Sequence, residues 1–431
     1  MTTGAALELA AGADLGRPPP NKLSGASLAV DKLLNITSSL SERLEENTMK
    51  NAKKEVSLFM MLVVIFAFVP SCRSQVVTKE QKDETGAARD GVVSAIRSMT
   101  AKRAAHTATL LGNGQVLIAG GFVGDGGGLA SAEVFDPTRK TFVSAENMTA
   151  ARASHTATLL PNGKVLISGG FNGDYLNTAE IYDPATNRFA SVGRMVTARS
   201  GHVAALLNDG KVLLVGGVGT GWTFLADAEL FDPKTNTFTP TGGMTTARES
   251  HTATLLNDGK VLIAGGHKGR RSAITIYTIA EIYNPVNGTF AATGNLTVKR
   301  HKHDAVLLAD GRVLVVGGSD ERDGDGAYRN AEVFNPLNNT FTAVKNDMNS
   351  ARYKLQGTTL LLQNGKVLIA GGANRAEVFD PATSSFSFTD GDMGTKRLFA
   401  TATLLKNGQV LITGGYHNGN MASADAWIYR V

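Results

Sequence analysis

The stretch 152–170, RASHTATLLPNGKVLISGG, constrains this chain more than any other. Two short β-prone runs, 155–160 and 164–168, flank Asn162-Gly163, and a Gly-Gly pair follows. Asn-Gly or Asp-Gly between such runs marks a β-hairpin, and a two-residue type I′ turn with positive φ at both central positions is the expected connection. The unit occurs seven times. Its turns are Asn113-Gly114, Asn162-Gly163, Asp209-Gly210, Asp258-Gly259, Asp310-Gly311, Asn364-Gly365 and Asn407-Gly408. The Gly-Gly pairs begin at Gly120, Gly169, Gly216, Gly265, Gly317, Gly371 and Gly414, 43 to 54 residues apart. Recurrence at this spacing specifies a repeat architecture in which each unit buries its apolar face on the next.

Each unit has the same order of parts. A Met, or Leu296, and an Arg come first, as in Met148-Thr-Ala-Ala-Arg152, with a His three residues after the Arg in five units. The hairpin and Gly-Gly follow, forming strands a and b. After a loop of variable length, Ala-Glu-(Val/Ile/Leu)-(Phe/Tyr)-(Asp/Asn)-Pro gives strand c, and an aromatic such as Phe189 opens strand d. The seventh unit reaches strand c and stops at Tyr429-Arg430-Val431, while 92–98 stands ahead of Met99 with no strand before it. The segment 92–98 therefore reads as an orphan strand d that completes the seventh sheet, closing a ring and removing its exposed edges.

These residues resemble the kelch repeat, with Arg or His before strand a, Gly-Gly after strand b and an aromatic opening strand d. The resemblance covers residues 92–431 and implies an all-β, seven-bladed propeller with four antiparallel strands per blade and the last blade closed by the N-terminal strand. In such a blade the d–a and b–c loops open on one face and the short a–b and c–d turns on the other. The variable loops make the first face the functional one.

The first ninety residues differ from the rest. Residues 1–48 hold Pro18-Pro19-Pro20 and no strand pattern, and read as disordered or as an extension ahead of a true start at Met49. Residues 49–72 combine Lys50, Lys53 and Lys54, a 14-residue apolar run over 56–69, and Ser71-Cys72, the parts of an export signal. Cys72 is the single cysteine of the chain. Val69-Pro70-Ser71-Cys72 resembles the lipobox of bacterial lipoproteins, with Pro70 a departure, so lipidation at Cys72 is expected. Residues 73–91 are a polar tether. The expectation is an exported protein, periplasmic or at the cell surface, held to the membrane by lipid at Cys72 or by a single N-terminal transmembrane segment.

Recurring residues and departures carry different information. The Arg occurs in all seven units (Arg103, Arg152, Arg199, Arg248, Arg300, Arg352, Arg397) and the Glu in six (Glu133, Glu180, Glu229, Glu281, Glu332, Glu377). A pair repeated in every blade is architectural, since a buried ion needs a partner. The histidines (His106, His155, His202, His251, His303) belong to separate blades and are expected to bond neighbouring loop backbone rather than a shared metal. Unit six has Leu355 in the His place and two extra residues before its turn. Unit seven has Ala400 there, and Trp427 replaces the Glu, leaving Arg397 to seek Asp425, water or a ligand. The Asp323-Gly-Asp325-Gly326 run lacks the downstream ligand of an EF-hand loop and reads as a solvated acidic loop. Candidate binding residues are therefore Arg397, Trp427, Tyr416 and His417 where the repeat breaks, and Trp222, Arg270, Arg271 and Tyr328 on the long b–c loops.

A net charge of +5 with scattered basic residues gives no stripe for nucleic acid. The favoured function is a non-catalytic binding module for a glycan or protein on the loop face, with no cofactor and no metal. A cofactor-free sugar epimerase is the alternative. The resemblance extends to the blades of galactose oxidase, whose copper-radical chemistry needs two tyrosines, two histidines and a Cys–Tyr cross-link. With Cys72 outside the repeats, that cross-link has no cysteine in the propeller.

Overall fold

The computed structural model describes residues 90–124, 127–417 and 421–431. The extension 1–48, the signal-like segment 49–72 with Cys72, and the tether as far as residue 89 lie outside the described residues. The rest is seven four-stranded antiparallel sheets. Blade 1 consists of strands a (Thr107–Leu110), b (Val116–Ala119), c (Ala132–Asp136) and d (Thr141–Ser144). Blades 2 to 6 repeat the order, with a strands Thr156–Leu159, Val203–Leu206, Thr252–Leu255, Asp304–Leu307 and Thr359–Leu361. Blade 7 has a (Thr401–Leu404), b (Val410–Thr413) and c (Ala426–Arg430), and its fourth strand is Val92–Ala95, paired Val92↔Arg430 through Ala95↔Trp427. The expected closure is thus present. The a strands of successive blades neighbour one another around a central channel.

The hairpins form as read, with a different turn. Gly114 N–H donates to the Leu111 carbonyl and Leu111 N–H to the Gln115 carbonyl. Of the turn residues only Gly114 has positive φ, at 89°. This is a three-residue connection, a type I turn followed by a left-handed glycine in a G1 bulge, and not the two-residue type I′ turn. Asn113 Oδ1 accepts from Gln115 N–H at 3.0 Å, so the Asn caps the turn from its side chain. The Gly-Gly pair has another cause. A Cβ on Gly120 would collide with the Arg152 carbonyl oxygen and lie 2.6 Å from His155 Cε1. The next blade's Arg-x-x-His segment passes there, so only hydrogen fits.

Strand b is buried on both faces in every blade, as Val116-Leu117-Ile118-Ala119 shows. The core therefore lies between blades. One cluster joins Leu117 and Ala119 of blade 1 to Val165, Ile167 and Tyr182 of blade 2, with Met148 beneath. Strands c and d are joined by an aromatic pair, Phe135–Phe142 in blade 1 and Tyr182–Phe189 in blade 2, with ring centroids 4.9 Å apart in both. Among the described residues helical structure is confined to 3-10 turns in the b–c loops, Thr220–Trp222, Arg271–Ala273 and Asp323–Gly326.

Candidate ligand-binding mouth

Each repeated Arg is buried within its own blade. Arg103 Nε donates to Glu133 Oε1 at 3.0 Å, and its Nη1 to the carbonyls of Gly120 and Ser131 at 2.8 Å each. Glu133 Oε2 accepts the Thr100 N–H at 2.7 Å. The pair thus ties the start of the unit to strand c and to the end of strand b. Arg152–Glu180, Arg199–Glu229, Arg248–Glu281, Arg300–Glu332 and Arg352–Glu377 repeat it at 2.5 to 2.9 Å.

The histidines couple one blade to the next. His155 Nε2 bonds Thr107 Oγ1 and His202 Nε2 bonds Thr156 Oγ1, each at 3.0 Å, and His303 Nε2 bonds Thr252 Oγ1 at 3.2 Å. His106 bonds Thr401 and Thr413 of blade 7, which carries the coupling across the closure. The partners are strand hydroxyls of the preceding blade, which corrects the expected loop-backbone bond. For His251 the threonine position holds Val203, and its polar neighbour is the Val215 carbonyl. Burial, reinforced by the nearby Arg103 guanidinium, pushes His106 down to about 3, so it is a neutral imidazole at pH 7.

The break between blades 5 and 6 is a coordinated one. Asp304 stands where blades 1, 2, 4 and 7 have Thr, and Leu355 where blades 1 to 5 have His. The buried Asp304 carboxylate accepts Thr358 N–H and Thr359 N–H at 2.9 Å each, so it caps the segment carrying the two extra residues. Burial pushes this carboxyl up to about 6, with the backbone amides of Gly357, Thr358, Thr359 and Ala305 pulling the other way.

Two residues after each repeated Arg, the chain is left-handed: Ala105, Ser154, Gly201, Ser250, Lys302, Lys354 and Phe399 have φ from 50° to 62°. The N–H of Ser154 donates to the Ala105 carbonyl, Gly201 to Ser154, Lys302 to Ser250, Lys354 to Lys302, Phe399 to Lys354 and Ala105 to Phe399. These bonds follow the channel neck from blade 4 through blades 5, 6, 7, 1 and 2 to blade 3. The side chains on this ring are small in blades 1 to 4 and large in blades 5 to 7.

A cavity of about 840 Å³ opens at this neck on the face of the d–a and b–c loops. Blades 1 to 3 wall it with Phe122, Phe171, Tyr175 and Trp222. Consecutive centroids are 6.5, 5.2 and 5.7 Å apart, and the Arg270 guanidinium lies over the Trp222 ring. Trp222 is 48% exposed, while the Tyr175 hydroxyl is buried with no hydrogen-bond partner. Glu249 lines it beside Arg270, and Lys302, Lys354 and Phe399 line it from blades 5 to 7. Lys302 and Lys354 both pair with Asp323, at 2.6 and 3.4 Å.

Sequence comparison agrees with this architecture. The family model described as the Kelch motif matches residues 103–149, 152–196 and 199–245, the first three units. This is a kelch-repeat propeller. Among the solved structures it resembles is a fungal alcohol oxidase of the AA5 family in complex with copper. The TM-score is 0.63 at 16% identity, over 79% of this chain and 76% of that one. At that identity the likeness is one of fold. No protein of curated function matches the sequence. Among the described residues no group of three or more His, Cys, Asp or Glu side chains is placed to hold one metal ion. The copper-radical residue set does not fit the kelch propeller, since Cys72 precedes every blade.

Of the residues singled out in the sequence, Trp222 and Arg270 line the cavity. Arg271 is exposed at φ 50° beside it, and the Tyr328 ring packs 5.6 Å from the Arg300 guanidinium. Tyr416 and His417 pair with Met421–Ala422 in a small hairpin of blade 7. Arg397 is 5% exposed, bonds Asp425 at 3.0 Å and lies 4.5 Å over Trp427. Trp427 is buried in the core between blades 6 and 7, with Val93, Leu362 and Leu368. The aromatic wall of Phe122, Phe171 and Tyr175 was missed. Its signal was the residue after Gly-Gly, which is Phe in units one and two and Val218, His267, Ser319, Ala373 and Tyr416 in the others.

Proposed function

We propose that this kelch propeller is a glycan-binding module whose ligand sits in the channel mouth. One observation carries the reading. The cavity presents an arc of four aromatic rings that includes a buried tyrosine hydroxyl with no partner. A sugar offers an apolar C–H face for the rings and hydroxyls for the tyrosine, while Arg270 supplies further donors at the rim. A buried polar group left unmade costs about 1–3 kcal/mol, and a ligand oxygen at Tyr175 removes that cost. The protein is exported and tethered at a membrane through residues 49–72, with lipid on Cys72; the apolar run and the Ser71-Cys72 end support this.

A protein ligand is the second reading. It is favoured by Trp222 carrying Arg270, the residue types that dominate protein interfaces. Binding of the full-length protein to a glycan array and to a peptide library separates the two. On the glycan reading, Trp222→Ala weakens the best glycan by at least about tenfold, a loss of about 1.4 kcal/mol. Tyr175→Phe weakens it several-fold with the melting temperature unchanged. Glycan binding indifferent to both substitutions, or binding to peptides alone, contradicts it.

A further inference from the structure

The neck ring is uneven in charge as well as in size. Lys302 and Lys354 are successive members of it, and Lys354 N–H donates to the Lys302 carbonyl at 2.9 Å. Both ammoniums turn to one carboxylate, that of Asp323, at 2.6 and 3.4 Å. Asp323 opens the 3-10 turn Asp323–Gly326 of the blade 5 b–c loop. One lysine is enough to hold that loop. Two leave a positive charge in excess at the wall of the channel cavity, which both lysines line together with Gln356. The other charged groups of that wall have partners. Arg270 has Glu249 beside it, and the Asp304 carboxylate accepts the N–H groups of Ala305, Thr358 and Thr359. Each lysine side chain is 19% exposed, so water solvates the pair only in part. Burial holds Lys354 below its ordinary value, against the pull of Asp323 and with the Lys302 ammonium adding to the effect.

We propose that the ligand of this mouth is an acidic glycan, whose carboxylate or sulfate is taken by Lys302 and Lys354. Resting on the glycan reading above, this gives that ligand its charge. A second anion at the pair supplies the missing counter-charge and accepts charge-assisted hydrogen bonds from both ammoniums. In a cleft walled by protein such an excess charge acts more strongly than on an open surface. A separate observation points to a sugar rather than a bare ion. Gln356 Oε1 is buried with no hydrogen-bond partner, and Gln356 belongs to the stretch of unit six that carries the two extra residues. A sugar hydroxyl is the donor this oxygen lacks, whereas an ionised carboxylate or sulfate only accepts. The aromatic rings that take a sugar's apolar face line the same cavity, whose volume of about 840 Å³ is in the usual range for a ligand pocket.

The test compares acidic glycans with their uncharged counterparts on the full-length protein. The probes are hexuronate oligosaccharides, the same oligosaccharides with their carboxyls reduced to alcohols, and sulfated forms of the reduced ones, printed on one array with uncharged glycans. The best binder of each class is then titrated by calorimetry. The best acidic probe should bind at least about tenfold tighter than its uncharged counterpart, the worth of a hydrogen bond to a charged group. Whether the hexuronate or the sulfated probe leads tells carboxylate from sulfate. Lys302→Gln and Lys354→Gln should each bring the acid-to-neutral ratio toward one, while Lys354→Arg should keep it. Lys211→Gln, on an a–b turn of the other face, should leave the ratio as in the parent. Asp323→Asn should raise it several-fold, because the competing carboxylate is gone; a lysine pair that serves only to hold the loop would give a lower melting temperature and no gain in acid binding. Uncharged glycans bound as tightly as acidic ones, or an acid preference that survives both lysine-to-glutamine substitutions, overturns this proposal and leaves the glycan reading standing. Absence of glycan binding altogether overturns both.

Discussion

A guanidinium shut away from water is stable only while its acceptors are in place, and this propeller repeats that arrangement around its ring. Arg199 meets Glu229 at 2.9 Å, Asp227 at 2.6 Å and the Gly216 carbonyl at 2.9 Å. Removing it strands the buried Glu229, at a cost of about 3–5 kcal/mol. Arg397 differs, because its acceptor Asp425 has a side chain 51% exposed that water can solvate once the Arg is gone. Arg199→Ala should therefore lower the melting temperature clearly more than Arg397→Ala in parallel thermal scans, and equal losses would contradict this assignment. The Arg–Glu pairing was legible in the sequence because both residues recur in phase. The threonine partners of the histidines were not, because each lies in the preceding blade, about fifty residues away for His155, His202 and His303 and at the far end of the chain for His106, in a Thr-rich strand where no position stands out. Asp304 was legible in principle, as the acidic residue at a threonine position beside a missing His. Its role emerges only when the two departures are seen to meet across one blade boundary.

At the level of strands, the hairpin, the Gly-Gly stop and the aromatic opening strand d could all be read, since each has a local steric or hydrophobic cause. The turn type could not, because Asn-Gly serves both a type I′ turn and a type I turn with a G1 bulge. The closure strand was expected over 92–98 and forms over Val92–Ala95. Its clasp begins earlier, at Asp90. The Asp90 carboxylate holds Lys366 and Ser387 of blade 6, at 2.6 Å each, and its carbonyl accepts the Tyr429 hydroxyl of blade 7 at 2.9 Å. Asp390 N–H donates to the Gly91 carbonyl and Val93 N–H to the Asp390 carbonyl, both at 2.8 Å. Deleting residues 90–98 opens a sheet edge and uncovers Trp427 and Tyr429, so the melting temperature should fall steeply. Deleting 1–84 leaves every one of these contacts and should not change it. Equal melting temperatures for the two truncations would show that the strand does not close the ring.

Across the whole molecule, seven similar blades set a near-symmetric frame, and binding a single ligand requires that symmetry to fail somewhere. It fails at the channel neck. The ring of left-handed residues is small in blades 1 to 4 and carries Lys302, Lys354 and Phe399 in blades 5 to 7, while the aromatic wall belongs to blades 1 to 3. The sequence showed the asymmetry of the last two units but not where its consequences fall. Trp427 and Arg397 are absorbed into packing. The a–b and c–d turns of the other face are short and capped by their own Asn and Asp side chains. Hydrogen–deuterium exchange of the full-length protein, with and without its best array glycan, therefore tests the account most directly. The account predicts slowed exchange at residues 171–176, 218–225 and 267–276 on the mouth face, with the turns at 113–115, 162–164 and 209–211 unchanged. Protection confined to those turns, or to blade 7 around residues 397 and 427, would contradict it.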